Sequence, residues 1–314
     1  MMAPTAPAAQ IAQAELLLDL RMQLGEGVTW CERSQALFWT DIEGSALFRL
    51  TAGAAQPQRW ALPERLGSFA LCETPDRLLL GLSKRLAFFD LRDASLEHIV
   101  AIEPDLPTRV NDGRCDRQGR FVFGTMDDRP QRDRIGSFYR LNRDLTLERL
   151  PLGAVRIPNS IGFAPESALE GGRMYYCDTL TRTIRVCAYG ADGVIAGDRE
   201  FVALTDADGD PDGSTVDAEG GLWNAQWGGG RIVRYDADGR ETARIAVPTA
   251  QPSCVAFGGA ALDTLYITSA RVDLSEQALR DDPHAGGVFR VRPGMRGMAE
   301  PRFGGSAAVP PATD

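Results

Sequence analysis

Four polar residues stand where short corners marked by glycine, proline or aspartate interrupt apolar runs. They are Glu26 in Gly25-Glu26-Gly27, Asn111 in Asn111-Asp112-Gly113, Asn159 in Pro158-Asn159-Ser160 and Asp212 in Pro211-Asp212-Gly213. Two carboxylates and two amide oxygens, once gathered, form a hard-oxygen donor set suited to Ca²⁺, Mg²⁺ or Mn²⁺ that also admits Zn²⁺. Asn and Asp favour turns on their own account, so any single corner reads first as a turn. Glu26 breaks that reading, because Glu is a poor turn residue and here it lies between two glycines.

Other chemistries have less to work with. Asp208-Gly-Asp210-Pro-Asp212-Gly213 followed by Glu219 completes the D-x-D-x-D-G-x₅-E pattern of an EF-hand loop. An EF-hand needs a helix on each side. Here Phe201–Leu204 upstream is strand-like, Gly220-Gly221 downstream would break a helix, and Pro211 sits inside the loop. The two histidines, His98 and His284, fall in apparent loops and leave little for a Ser-His-Asp triad or a His-ligated zinc. No G-x-S-x-G, P-loop or dinucleotide-binding glycine motif appears. Gly228-Gly229-Gly230 reads as a tight hairpin between two strands. Of the five tryptophans, Trp227 is the candidate for stacking on a sugar and the others read as packing.

The corners belong to a repeat. First strand runs recur at Ala36–Thr40, Arg77–Gly81, Arg120–Gly124, Arg173–Cys177, Gly221–Asn224 and Thr264–Thr268. Each is followed by a second run, at Ala46–Leu50, Leu86–Asp90, Ser137–Leu141, Thr183–Val186, Arg231–Tyr235 and Gly287–Val291. With Gly67-Ser68 and Pro252-Ser253 added, six corners follow one another at spacings of 42, 43, 48, 53 and 40 residues. A period in the forties built from strands alone predicts one four-stranded propeller blade per repeat. The fold expected is an all-β, six-bladed β-propeller. In that architecture the corners converge on the central channel, which would hold the metal. A β-sandwich with accidental spacing would have to reproduce six matching corners. Ala14–Leu20 is expected to close the ring beside Gly287–Val291, and Leu274–Leu279 is the best candidate for a short helix.

Composition bounds the partners. The 314 residues carry a net charge of −9, which opposes a nucleic-acid partner and an anionic membrane surface. Six cysteines are scattered singly, as expected of reduced, buried thiols in a cytoplasmic protein without a structural zinc. The N-terminus lacks a basic region and fails as a secretory signal, and no apolar run approaches the ~20 residues of a membrane helix. The expected organisation is a disordered tail at 1–13, one propeller domain at 14–303 and a disordered tail at 304–314.

Taken together, LGEGVTW at 24–30, RVNDG at 109–113, Gly124-Thr125-Met126, Pro158-Asn159, PDGSTVD at 211–217 with Gly221-Leu222-Trp223, WGGGR at 227–231 and GGVF at 286–289 resemble the gluconolactonase and regucalcin (senescence marker protein 30) family. The match covers roughly residues 20 to 295 in order. The resemblance implies a six-bladed propeller with one divalent metal in its channel, bound by Glu26, Asn159 and Asp212. It further implies that Arg109 and Asn111 contact the substrate. The implied reaction is hydrolysis of a sugar (aldono)lactone to the aldonic acid, with Asp212 as general base on water. The cation could be Ca²⁺, Zn²⁺, Mn²⁺, Mg²⁺ or Fe²⁺. Two rivals share such a site: a calcium-binding regulatory protein without catalytic duty, and a paraoxonase- or phosphotriesterase-like hydrolase. The chain departs from the family pattern at Ser160, where Gly is frequent, and at Asp127-Asp128-Arg129, which leaves the choice of sugar open.

Overall fold

The computed structural model describes residues 10–164 and 172–305. Six antiparallel sheets are arranged as successive blades, each with four strands in the simple up-and-down order expected of a propeller. The inner strands are Gly25–Cys31, Leu66–Leu71, Thr108–Cys115, Pro158–Ala164, Asp210–Val216 and Pro252–Gly258. They ring the central channel, with the six corners at one end.

The ring closes as the sequence predicts. Glu15–Leu18 forms the outermost strand of the last blade, with Leu16 opposite Phe289 and Leu18 opposite Val288. One feature differs from expectation. Gln10–Gln13, placed in the N-terminal tail by the sequence, adds a parallel strand to the outer edge of blade 5 along Arg244–Ala246. The chain start therefore ties two neighbouring blades together. The rest of the expected N-terminal tail, and residues 306–314 of the C-terminal one, lie outside the described residues. Gly304 is held, its N–H donating to the Gly119 carbonyl at 2.9 Å.

Apolar layers fill the gaps between blades. In blade 1, alternate residues of one strand face opposite neighbours: Ala36 and Phe38 pack toward blade 2, while Leu37 and Trp39 pack toward blade 6. Such a strand is apolar on both faces because it is covered on both. Six clusters of this kind, one per blade junction, hold the ring rigid. Trp39 and Trp223 are fully buried within them, and truncating either to Ala would cost about 3–5 kcal/mol. Gly228-Gly229-Gly230 is the tight turn of a hairpin, as expected. The short helix forms at Glu276–Asp281, capped by Ser275, two residues later than predicted. His98 is not in a loop but in the outer strand Leu96–Ala101 of blade 2.

After the last blade strand the chain crosses under the channel. Gly297 bridges to Asp217, and Phe303 bridges to Cys72 and is fully buried. Arg114, rising from inner strand 3, meets Glu300 of this strap with two hydrogen bonds of 2.8 and 2.9 Å.

Candidate active site

Every inner strand changes register at its corner. The pairing with the next strand slips between Glu26 and Thr29, Leu66 and Ser68, Val110 and Gly113, Asn159 and Gly162, Pro211 and Ser214, and Pro252 and Cys254. A bulge of this kind re-aims side chains out of the sheet. The repeat thus gives the same local device six times, and the residue type at each corner decides what the device presents. Blades 1, 3, 4 and 5 present Glu26, Asn111, Asn159 and Asp212. Blades 2 and 6 present only serines.

The backbone shows why two of these corners are spelled as they are. Gly27, after Glu26, and Ser160, after Asn159, both adopt left-handed φ values, +61° and +59°. Glycine does this freely, whereas serine pays about 1 kcal/mol. Ser160 is compensated: its hydroxyl donates to the Asp212 carbonyl at 2.6 Å and accepts from Asn224 Nδ2 at 3.1 Å. The departure from the family's glycine is therefore tied to a cross-blade link between two of the predicted metal-binding corners.

The structure gathers all five predicted site residues at one cavity of about 270 Å³, lined by Glu26, Arg109, Asn111, Asn159 and Asp212 together with Thr179, Asp210, Met126, Arg132, Leu180, Trp227 and Val272. That volume lies below the ~300–1,000 Å³ usual for drug-sized ligands and suits a small polar molecule. Trp227, the candidate for sugar stacking, is on its wall.

Hydrogen bonds fix which way each amide faces. The Pro211 carbonyl can only accept, so the Thr179 hydroxyl donates to it at 3.0 Å and must itself accept from Asn159 Nδ2 at 2.9 Å. Asn159 Oδ1 is thereby left with a lone pair for a ligand. Asn111 Nδ2 donates to the Pro158 carbonyl at 2.9 Å and reaches Asn159 Oδ1 at 3.3 Å, while its own Oδ1 accepts from Arg109 Nη1 at 2.7 Å. Arg109 is buried, and burial together with nearby Arg65 pulls its guanidinium down to about 10. Asp128 links the two arginines, pairing with Arg65 and lying 3.6 Å from Arg109 Nε.

The carboxyls are out of balance. Burial, then the neighbouring Asp112, pushes Glu26 up to about 8. Burial and the charges of Glu26 and Asp112 push Asp212 well above the usual carboxylate range. Asp112 is itself raised, chiefly by burial. Acids held above their usual range by burial, with Asp112 crowding Glu26 and both crowding Asp212, are the environment a divalent cation would relieve. Among the described residues no three His, Cys, Asp or Glu side chains form a metal cluster. The donor set here is instead two carboxylates and the Asn159 amide oxygen, which fits a hard, oxygen-preferring cation.

Sequence reasoning missed Thr179, which orients Asn159, and the part played by Asp112 as a third, half-buried acid. Asp112 could have been found, since it belongs to a corner already singled out. Thr179 carries no such signal, for it follows a strand end and acts across to the next blade.

Residues 24–271 match the family profile of the SMP-30/Gluconolactonase/LRE-like region. An L-arabinolactonase from Azospirillum brasilense is 58% identical, covering 94% of this chain and 96% of that one. A pentonolactonase from Haloferax volcanii is 34% identical over 90% and 96%. Among solved structures, a calcium-binding protein, regucalcin, from Agrobacterium tumefaciens superposes with a TM-score of 0.86 at 31% identity, covering 95% of this chain and 99% of its own. With six blades, matching corners and this extent of identity, the chain belongs to the SMP-30/gluconolactonase/LRE-like family.

Proposed function

We propose that the chain is an aldonolactone hydrolase of pentose catabolism that opens a five-carbon lactone of the L-arabinonolactone type to its aldonic acid. The observation that carries this reading is the meeting of Glu26, Asn159 and Asp212 with Arg109 and Asn111 at one small cavity. The 58% identity to a protein named for L-arabinolactone supports the choice of a pentose substrate.

Glu26, Asn159 and Asp212 would hold one divalent cation, which when bound supplies Lewis-acid polarisation of the ester carbonyl and offsets the crowded carboxylates. Asp212 takes a proton from the attacking water as the water oxygen bonds to the carbonyl carbon. The ester C–O bond then breaks, and the ring oxygen leaves as a hydroxyl after receiving the proton that Asp212 took from water. Arg109 and Asn111 orient the substrate, and their mutual hydrogen bond keeps both side chains in a single pose. Water is the only nucleophile required.

A pH-stat assay on metal-stripped protein, with Ca²⁺, Zn²⁺, Mn²⁺, Mg²⁺ or Fe²⁺ restored against a panel of pentono- and hexonolactones, tests the proposal. Cation-dependent acid release, fastest on a pentonolactone, is the expected result. Release no faster than the spontaneous rate with every pair would overturn it.

A further inference from the structure

The segment after Asp127 is folded by that one side chain. Asp127 ends the second strand of blade 3 and is fully buried. Its carboxylate accepts from Arg129 N at 3.1 Å, Arg129 Nε at 2.9 Å, Arg129 Nη2 at 3.1 Å and Asp133 N at 2.7 Å. Arg129 holds the far side of the loop as well, through Asp133 Oδ2 at 3.0 Å. These bonds keep Asp127 ionised, at about 2. Within the latched loop, Arg132 adopts a left-handed φ of 51° and donates from Nη1 to the Asp127 carbonyl at 2.7 Å.

Arg132 lines the same cavity as Glu26, Asn159 and Asp212. It differs from two arginines that pair with carboxylates of the cavity wall: Arg65 pairs with Glu43 and Asp128, and Arg182 with Asp206 and Asp210. Arg132 has no carboxylate partner among the described residues, only a backbone carbonyl. A guanidinium carries five N–H donors in a rigid fork, so most of its hydrogen-bonding capacity is unspent. Its charge reaches Arg109, whose own ionisation it disfavours. Two arginines therefore share one wall, and only one of them is fixed to the amides beside the carboxylates.

We propose that Arg132 is a specificity-determining residue whose guanidinium donates to hydroxyl oxygens of the sugar lactone on carbons away from the ester, and that Asp127 is the positioning residue that aims it. The proposal rests on the lactonase reading for its substrate. It also gives the Asp127-Asp128-Arg129 departure a use: Asp127 and Arg129 latch the loop, and Asp128 joins Arg65 to Arg109.

The test compares wild type, R132Q, R132K and D127N in two assays on cation-loaded protein. The first is turnover of L-arabinono-1,4-lactone; the second is calorimetric binding of L-arabinitol, a polyol that cannot be hydrolysed. R132Q is expected to raise KM about 10- to 100-fold with kcat within about threefold, and to weaken arabinitol binding by a similar factor. R132K should recover part of both losses, and D127N should show the same KM-weighted loss in milder form. R132Q with wild-type KM and wild-type arabinitol affinity overturns the assignment and leaves the lactonase reading standing. So does a loss confined to kcat. Arabinitol binding that depends on Arg132 in a protein that opens no lactone would sink the lactonase reading while the sugar contact stands. A wild type that neither binds nor turns over either probe overturns both.

Discussion

The two ends of the central channel are built from the same six inner strands and handle charge in opposite ways. At the lower end Arg114 is met by Glu300 with two hydrogen bonds, Arg302 pairs with Glu32 at 3.0 Å, and Arg117 donates to the carbonyls of Phe163 and Ala299. The strap carries both of the acid–base contacts and covers the opening. At the upper end Glu26, Asp112 and Asp212 are all raised chiefly by burial, and Asp112 adds its charge against both Glu26 and Asp212. One end is charge-matched by the chain itself, and the other keeps an excess of acid. Stability is stored where the electrostatics close, and the proposed site sits where they are left open.

Breaking the upper end should have the largest effect. Asp212→Ala removes a cation ligand and the base at once, and kcat/KM for the pentonolactone is expected to fall about 10³-fold or more with the melting temperature little changed. Steady-state kinetics at saturating cation checks this. At the lower end the signs reverse. Glu300→Gln strands Arg114 and should cost about 3 kcal/mol of unfolding free energy, read by urea denaturation, while KM stays at its wild-type value.

A pH series sharpens the contrast. Glu26 binds protons more tightly folded than unfolded, so the metal-free protein holds the extra proton between about 4.5 and 8. Stability falls with rising pH wherever the native state binds more protons. The metal-free melting temperature should therefore decline across that window, with Asp212 and Asp112 acting in the same direction. Saturating cation should remove most of the slope, and Glu26→Gln should remove the share that Glu26 contributes. Differential scanning calorimetry from pH 5 to 8.5 reads both. The smallest effect is expected at the link between blades 4 and 5. Ser160→Gly relieves a left-handed serine and loses its cross-blade hydrogen bonds, so the two changes should cancel to within about 1 kcal/mol in thermal unfolding.

The parts of this arrangement that could be read from the sequence share a physical reason. Corners and strands are local: Gly25-Glu26-Gly27 and Pro211-Asp212-Gly213 announce their turns, and the spacing of six such corners fixes the number of blades. Once the blades are known, convergence on the channel follows, and Glu26, Asn159 and Asp212 come together without further information. What stayed hidden depends on contacts between distant segments. Arg114 and Glu300 are 186 residues apart, and nothing local in either marks the pair. The parallel strand at Gln10–Gln13 reads as a tail because Gln-Ile-Ala-Gln, with Ile11 as its one β-branched residue, carries little strand signal until the edge of blade 5 is present to pair with it. Arg132 was invisible because its place on the cavity wall is set by the buried carboxylate of Asp127, five residues earlier.

The proposed site at the upper end requires a cation to be complete. Isothermal titration of metal-stripped wild type, Glu26→Gln and Asp212→Ala with Ca²⁺ and Mn²⁺ at pH 8 tests that directly. One cation per wild-type chain is predicted, with affinity lowered at least about tenfold in each variant. Binding that is absent from the wild type, or unchanged in both variants, would contradict it.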